Sequence, residues 1–245
     1  TVNGRTWPNL DVKRRQYRFR LLNASNSRFY NLKLSNGQSF IQIGSDGGFL
    51  PFPVELSELL ISPGERADIL IDFSDLEPGT AIILNNNANT PFPVGNPPDP
   101  ETVGQIMQFT VIDSRVVPPN RLPAKLNKIP TLTPNVPKKV LTLDETPGPN
   151  GPDIHTLNGQ KWGAPISELP IVGSTVEWEL VNVTIVTHPI HVHLIQFQIV
   201  NRQNFDAEAY QEEWVKLNGE PPLQHPTITL PVEPFLLGNP IDPAP

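Results

Sequence analysis

Gln16-Tyr17-Arg18-Phe19-Arg20-Leu21-Leu22 places Tyr17, Phe19 and Leu21 at alternate positions, with Arg18 and Arg20 between them. Successive side chains of a strand point to opposite faces, so this period of two fits a half-buried strand and not a helix. The same alternation returns at Ile69, Ile71 and Phe73, interleaved with Asp68 and Asp72. Turn signals separate such runs: Asn36-Gly37, Asp46-Gly47-Gly48, Pro63-Gly64 and Glu77-Pro78-Gly79. Short alternating strands broken by turns predict an all-β sandwich or barrel.

Composition supports this reading. Hydrophobic residues make up 38% of the 245 positions, enough for packed cores. Proline occurs 30 times, and proline is excluded from helix interiors and central strands, so loops and turns dominate. The net charge is −7, and the basic run Lys13-Arg14-Arg15 is short and lies on a strand-like segment. It reads as a solvated strand edge, and nucleic acid is not an expected partner. No apolar stretch reaches the roughly 20 residues that span a bilayer as a helix, so no membrane partner is expected. Cysteine is absent, which excludes disulfides and thiolate metal ligands from this chain. Thr1 is not an initiator methionine and the chain closes on Pro243-Ala244-Pro245, so either end is expected to be a cut.

The alternation organises into two parts. Residues 1–113 form a first unit whose closing strand is Ile106–Ile112. Residues 114–137 carry Pro118, Pro119, Pro123, Pro130, Pro134 and Pro137 without periodicity, and read as a stiff, extended linker. Residues 138–245 form a second unit. Its expected strands are Lys139–Leu143, the alternating Val176, Trp178 and Leu180, and His191–Val200, with a short helix over Asp206–Glu213. The helix's Asp206, Glu208, Glu212 and Glu213 read as a solvated face. Eight prolines between Asn218 and Pro245 are expected to break any regular element there. Too few strands remain to close a second sandwich.

Three of the five histidines fall in His188-Pro189-Ile190-His191-Val192-His193. Neutral imidazole offers a nitrogen lone pair near physiological pH, and three within six residues point to metal. On a strand His191 and His193 would share a face. His188 stands an odd three residues earlier, before a proline, and can serve a different centre. Imidazole suits zinc, copper, iron and nickel alike, so the metal stays open at this level. His155, just before the Asn158-Gly159 turn signal, and His225, in the proline-rich tail, read as loop histidines.

Thr187-His188-Pro189-Ile190-His191-Val192-His193-Leu194 resembles the third of the four copper motifs of multicopper oxidases. Val2–Pro8, Tyr17–Asn26, Phe40–Gly48, Pro63–Ile69 and Leu157–Trp162 resemble, in order, the bacterial spore-coat laccase and bilirubin oxidase branch, as do Phe205-Asp206 and Tyr210-Gln211-Glu212. The resemblance covers nearly the whole chain. It implies cupredoxin-like Greek-key sandwiches, one complete (the family's middle domain) and one partial. It implies copper as cofactor, with His188 on the type 1 copper, His191 on the type 2 copper and His193 on a type 3 copper. No catalytic residue separable from these ligands is expected. The implied reaction is oxidation of phenols or aromatic amines coupled to reduction of dioxygen to water.

The family's His-Cys-His motif with its further His and axial Met is missing, as are the two His-x-His motifs of a first domain. The chain is therefore expected to act only with the remaining segments of the same oxidase, together with dioxygen and a small aromatic reductant. The resemblance also implies a place at the spore coat, in the periplasm or outside the cell. Two other functions fit parts of the sequence. A zinc hydrolase needs all three histidines on one ion, which Pro189 and the odd spacing oppose. A non-catalytic structural or binding module needs none of them on a metal.

Overall fold

The computed structural model describes residues 1–243. It divides into two compact units: residues 1–129 with 189–193, and residues 130–188 with 194–243. The division passes between Ile129 and Pro130, within the segment expected to be the linker, and it hands Pro189–His193 to the first unit.

The first unit carries nine strands: β1 (Asn9–Val12), β2 (Gln16–Leu22), β3 (Tyr30–Leu34), β4 (Phe40–Ser45), β5 (Gly48–Leu56), β6 (Leu59–Ile61), β7 (Arg66–Asp72), β8 (Ala81–Asn86) and β9 (Gln105–Val111). They form a five-stranded sheet, β1-β9-β8-β3-β6, and a four-stranded sheet, β2-β7-β4-β5. Apolar residues from both sheets meet in one core that includes Val12, Leu34, Phe40, Ile69, Phe73 and Phe109. Alternation decides which faces meet. Ile82 and Leu84 of β8 are buried while Ile83 between them is not, and Ile69, Ile71 and Phe73 are at most 1% exposed. Burying each such side chain contributes about 1.5–3 kcal/mol. Tyr17 and Phe19 pack against this core, and Phe19 and Phe73 each lie about 5.3–5.4 Å from the Phe109 ring. On the outer face of β2, Arg18 binds Asp68 of β7 through its guanidinium and lies over the Phe49 ring.

The turn signals mark the strand junctions. Gly64, with φ of +85°, lies between β6 and β7, where its amide donates to the Asn23 carbonyl. The left-handed backbone there suits glycine because it carries no Cβ. The basic run Lys13-Arg14-Arg15 lies outside any strand, in the bend between β1 and β2, where Arg14 pairs with Glu77 at 3.3 Å. A change of direction, and not a strand edge, leaves Lys13 and Arg15 exposed.

The second unit is built differently. A three-stranded sheet joins β10 (Lys139–Gly148), β11 (Gly151–Leu157) and β12 (Trp178–Asn182) in the order β11-β10-β12. β13 (Arg202–Phe205) and β14 (Leu236–Ile241) make a separate antiparallel ribbon. Helix α1 (Ala207–Asn218) begins where Asp206 accepts a hydrogen bond from the Ala209 amide through its side chain, an N-cap that satisfies a free helical donor. Asp206 thus does more than sit on a solvated face. The helix ends at Gly219 with φ of +92°. Its Tyr210 and Trp214 are the centre of a small core with Val181, Leu223 and Val232.

Two expectations fail beyond β12. Residues 191–200 form no strand. A strand exists only where a neighbour completes its ladder, and the described strands pair among themselves and leave none for this segment. The tail after Asn218 does hold regular structure, namely β14 and a short 3-10 turn at Glu233–Phe235. Proline is tolerated there because Pro234 opens the turn and β14 lies at a ribbon edge. Among the described residues no helix is long and apolar enough to cross a membrane.

Candidate metal centre

Where β12 stops, the chain folds on itself. The Asn182 side chain donates from Nδ2 to the Val186 carbonyl at 2.8 Å and accepts from the Thr184 amide and hydroxyl at 3.1 and 2.8 Å. Asparagine closes such turns because its short amide reaches its own backbone two residues on. Two residues beyond Val186 lies His188, held extended by the following Pro189. Its Nε2 lies 2.8 Å from Thr184 Oγ1 and 3.8 Å from a carboxylate oxygen of Glu145. Burial lowers the His188 pKa below the usual imidazole range; Glu145 opposes that shift, and His155 adds to it.

Glu145 and His155 come from the β10–β11 hairpin, where they stand directly opposite each other in antiparallel register. His155 Nδ1 is 3.0 Å from Glu145 Oε1, and the His155 and His188 rings meet edge to face at 5.7 Å. His155 therefore lies on a strand and not in a loop, which corrects the sequence expectation. The Asn158-Gly159 signal is a genuine turn, with both φ values positive, but it begins three residues later. Glu145 escaped notice in the sequence because nothing marks it until the hairpin register sets it across from His155. That register shifts between Thr146 and Gly148, an irregularity no alternation pattern announces.

His191 and His193 belong to the first unit. Both are exposed, and their rings stand edge to face, 4.7 Å apart and 85° to each other. They come together without a strand to align them. The motif is thus divided: His188 groups with the hairpin residues of one unit, His191 and His193 with the other. His225 is exposed, and its Nδ1 faces the Pro226 carbonyl at 3.0 Å.

Imidazole nitrogens of this kind suit copper, and two rings 4.7 Å apart can turn lone pairs toward neighbouring ions. A blue copper centre needs a thiolate as well, which a chain without cysteine does not contain.

Comparison with known proteins gives two matches along the chain. Residues 2–99 and 124–235 each match a family described as multicopper oxidase. The chain is 44% identical over 214 residues to a laccase of Bacillus subtilis (strain 168), covering 86% of this chain and 41% of that protein. It is 34% identical over 215 residues to the bilirubin oxidase of Albifimbria verrucaria, covering 82% and 36%. Among solved structures, a variant of the multicopper oxidase McoA from the hyperthermophile Aquifex aeolicus superposes with a TM-score of 0.62 at 31% identity, over 79% of this chain and 44% of that one. The chain spans about two fifths of the length of these curated relatives.

Proposed function

The chain belongs to the multicopper oxidase family, in the branch of the bacterial laccases and bilirubin oxidase, and from that premise we propose that it is part of a laccase-like copper oxidase. In this reading residues 1–113 are the middle cupredoxin domain, residues 114–137 the linker, and residues 138–245 part of the last domain. The observation that carries it is the six-residue histidine motif, set inside the matched region 124–235. His188 holds the type 1 copper, His191 the type 2 copper and His193 one type 3 copper. Copper held there would supply electron transfer from a phenolic or aromatic amine donor to dioxygen.

The residues of this chain contribute position. Pro189 and the Asn182 turn fix where His188 stands, and its half-buried place keeps the imidazole neutral and able to donate a lone pair. The cysteine of the blue centre and the remaining histidines come from other segments of the same oxidase. Exposed apolar residues of the second unit, among them Trp162, Ile166, Val172, Leu194 and Ile195, support the existence of such covering segments. A location at a spore coat, in a periplasm or outside the cell belongs to the same proposal. No observation favours a zinc hydrolase built on His188, His191 and His193 together, or a non-catalytic module.

The test is made in the oxidase that carries this chain. His188→Ala should abolish the blue thiolate–copper absorption. His191→Ala should leave that colour and stop oxygen consumption. A blue, fully active His188→Ala oxidase would refute the assignment.

A further inference from the structure

Glu145, His155 and His188 offer more than the copper reading uses. Strand pairing sets the first two opposite each other, and the Asn182 turn delivers the third. One donor atom from each lies within 4.8 Å of the other two. Ligands of a tetrahedral ion with bonds near 2.1 Å are about 3.4 Å apart. The observed 3.0 Å from His155 Nδ1 to Glu145 Oε1 and 3.8 Å from His188 Nε2 to the same oxygen lie on either side of that distance. Small side-chain rotations suffice to close the set.

We propose that Glu145, His155 and His188 bind one divalent transition-metal ion of the zinc(II) or copper(II) class. Two imidazoles and one carboxylate make a borderline donor set that disfavours hard cations such as calcium and magnesium, which take oxygen ligands. His155 is 65% exposed at its side chain, so the ion has an entry path and the fourth position opens to water. His188 can release its Thr184 contact at little cost. The Thr184 hydroxyl keeps Asn182 Oδ1 and the Val186 carbonyl as acceptors, at 2.8 and 3.1 Å. The site rests on hairpin geometry and not on the copper reading; the two share only His188, whose imidazole has a second nitrogen.

Isothermal titration of zinc(II) into the full chain tests it. The expected result is one ion bound per chain at this site, with His155→Ala and Glu145→Gln each weakening it at least about tenfold. The double variant His191→Ala/His193→Ala should leave that binding unchanged. His155→Gln, similar in size and polar, repeats the measurement if circular dichroism shows that His155→Ala unfolds. Absence of zinc binding, equal affinity in the His155 and Glu145 variants, or loss only with His191 and His193 would each overturn the proposal. A colourless oxidase that still binds zinc through His155 overturns the copper reading alone. A blue one that does not bind zinc there overturns this inference alone.

Discussion

The two units are both built largely of strands and arrive at different degrees of closure. In the first, nine strands form two sheets that share a core of fourteen buried apolar residues among those described. In the second, five strands split into a sheet of three and a ribbon of two, and the buried core among the described residues is five side chains. Both regions alternate in sequence. The difference lies in ladders: in the first unit the strands find neighbours within the same stretch of chain, while residues 194–200 of the second find none and stay irregular. Alternation states which face would be buried, and pairing decides whether a face exists.

The largest expected effect compares one core aromatic from each unit. Trp214→Ala and Phe73→Ala each remove a buried aromatic at a cost of about 3–5 kcal/mol. Spread over the thirteen other buried residues of that core, the loss at Phe73 should lower the melting temperature of the first unit without abolishing its fold. At Trp214 the same loss should unfold the second unit, which hydrogen exchange would register as lost protection over α1 and β12. Equal tolerance in the two units would break the comparison.

A smaller effect sharpens it. Gly159 has φ of +66°, and a Cβ placed there would lie 2.8 Å from the Leu223 side chain and 2.9 Å from Trp214. Its carbonyl also accepts from the Leu223 amide at 2.7 Å. Gly159→Ala combines backbone strain with overpacking and should cost about 1–3 kcal/mol by denaturant titration, confined to the second unit. Gly64→Ala, with φ of +85° but open space around the added Cβ, should cost less.

The smallest is electrostatic. Lys138, just before β10, pairs with Glu179 at 2.7 Å and with Glu233 at 2.9 Å, tying the chain there to β12 and to the turn before β14. The hydrogen bond from Lys138 holds the Glu233 carboxyl below its usual range, and the two carboxylates hold the Lys138 amine above its own. A depressed acid contributes stability above its unfolded range and loses it as pH falls through the folded value. A raised amine contributes below its unfolded range and loses it only as pH climbs through the folded value. The network should therefore help between the ordinary carboxylate and amine ranges. Glu233 is 60% exposed at its side chain, so solvent screens the pair. Lys138→Met should cost under about 1 kcal/mol at neutral pH, and less in strong acid or high salt. A loss independent of pH and salt would mean that Lys138 acts through packing.

How much was legible follows the same line. The faces of β2 and β7 and the glycine turns were readable because they depend on neighbours in sequence: Tyr17, Phe19, Ile69 and Ile71 lie where alternation puts them. The histidine motif was readable because its spacing is local. His155 and Glu145 were not, because their meeting depends on a bulged register between two strands. The strand expected over 191–200 failed for the opposite reason, since its pattern is sound but no ladder receives it. The second unit's ribbon hid behind prolines that edge strands tolerate.

One pairing in the first unit bears on how the chain assembles in time. β1 has β9 as its sole described partner strand and runs parallel to it, with Asn9 opposite Gln108. Synthesis at about 5–20 residues per second separates the appearance of those two strands by roughly 5–20 s. Throughout that interval β1 is present without a ladder, and even in a refolding experiment its docking waits on a contact between residues about a hundred positions apart, the kind that slows folding most. Within this unit the earliest strand waits for the latest before it finds its place.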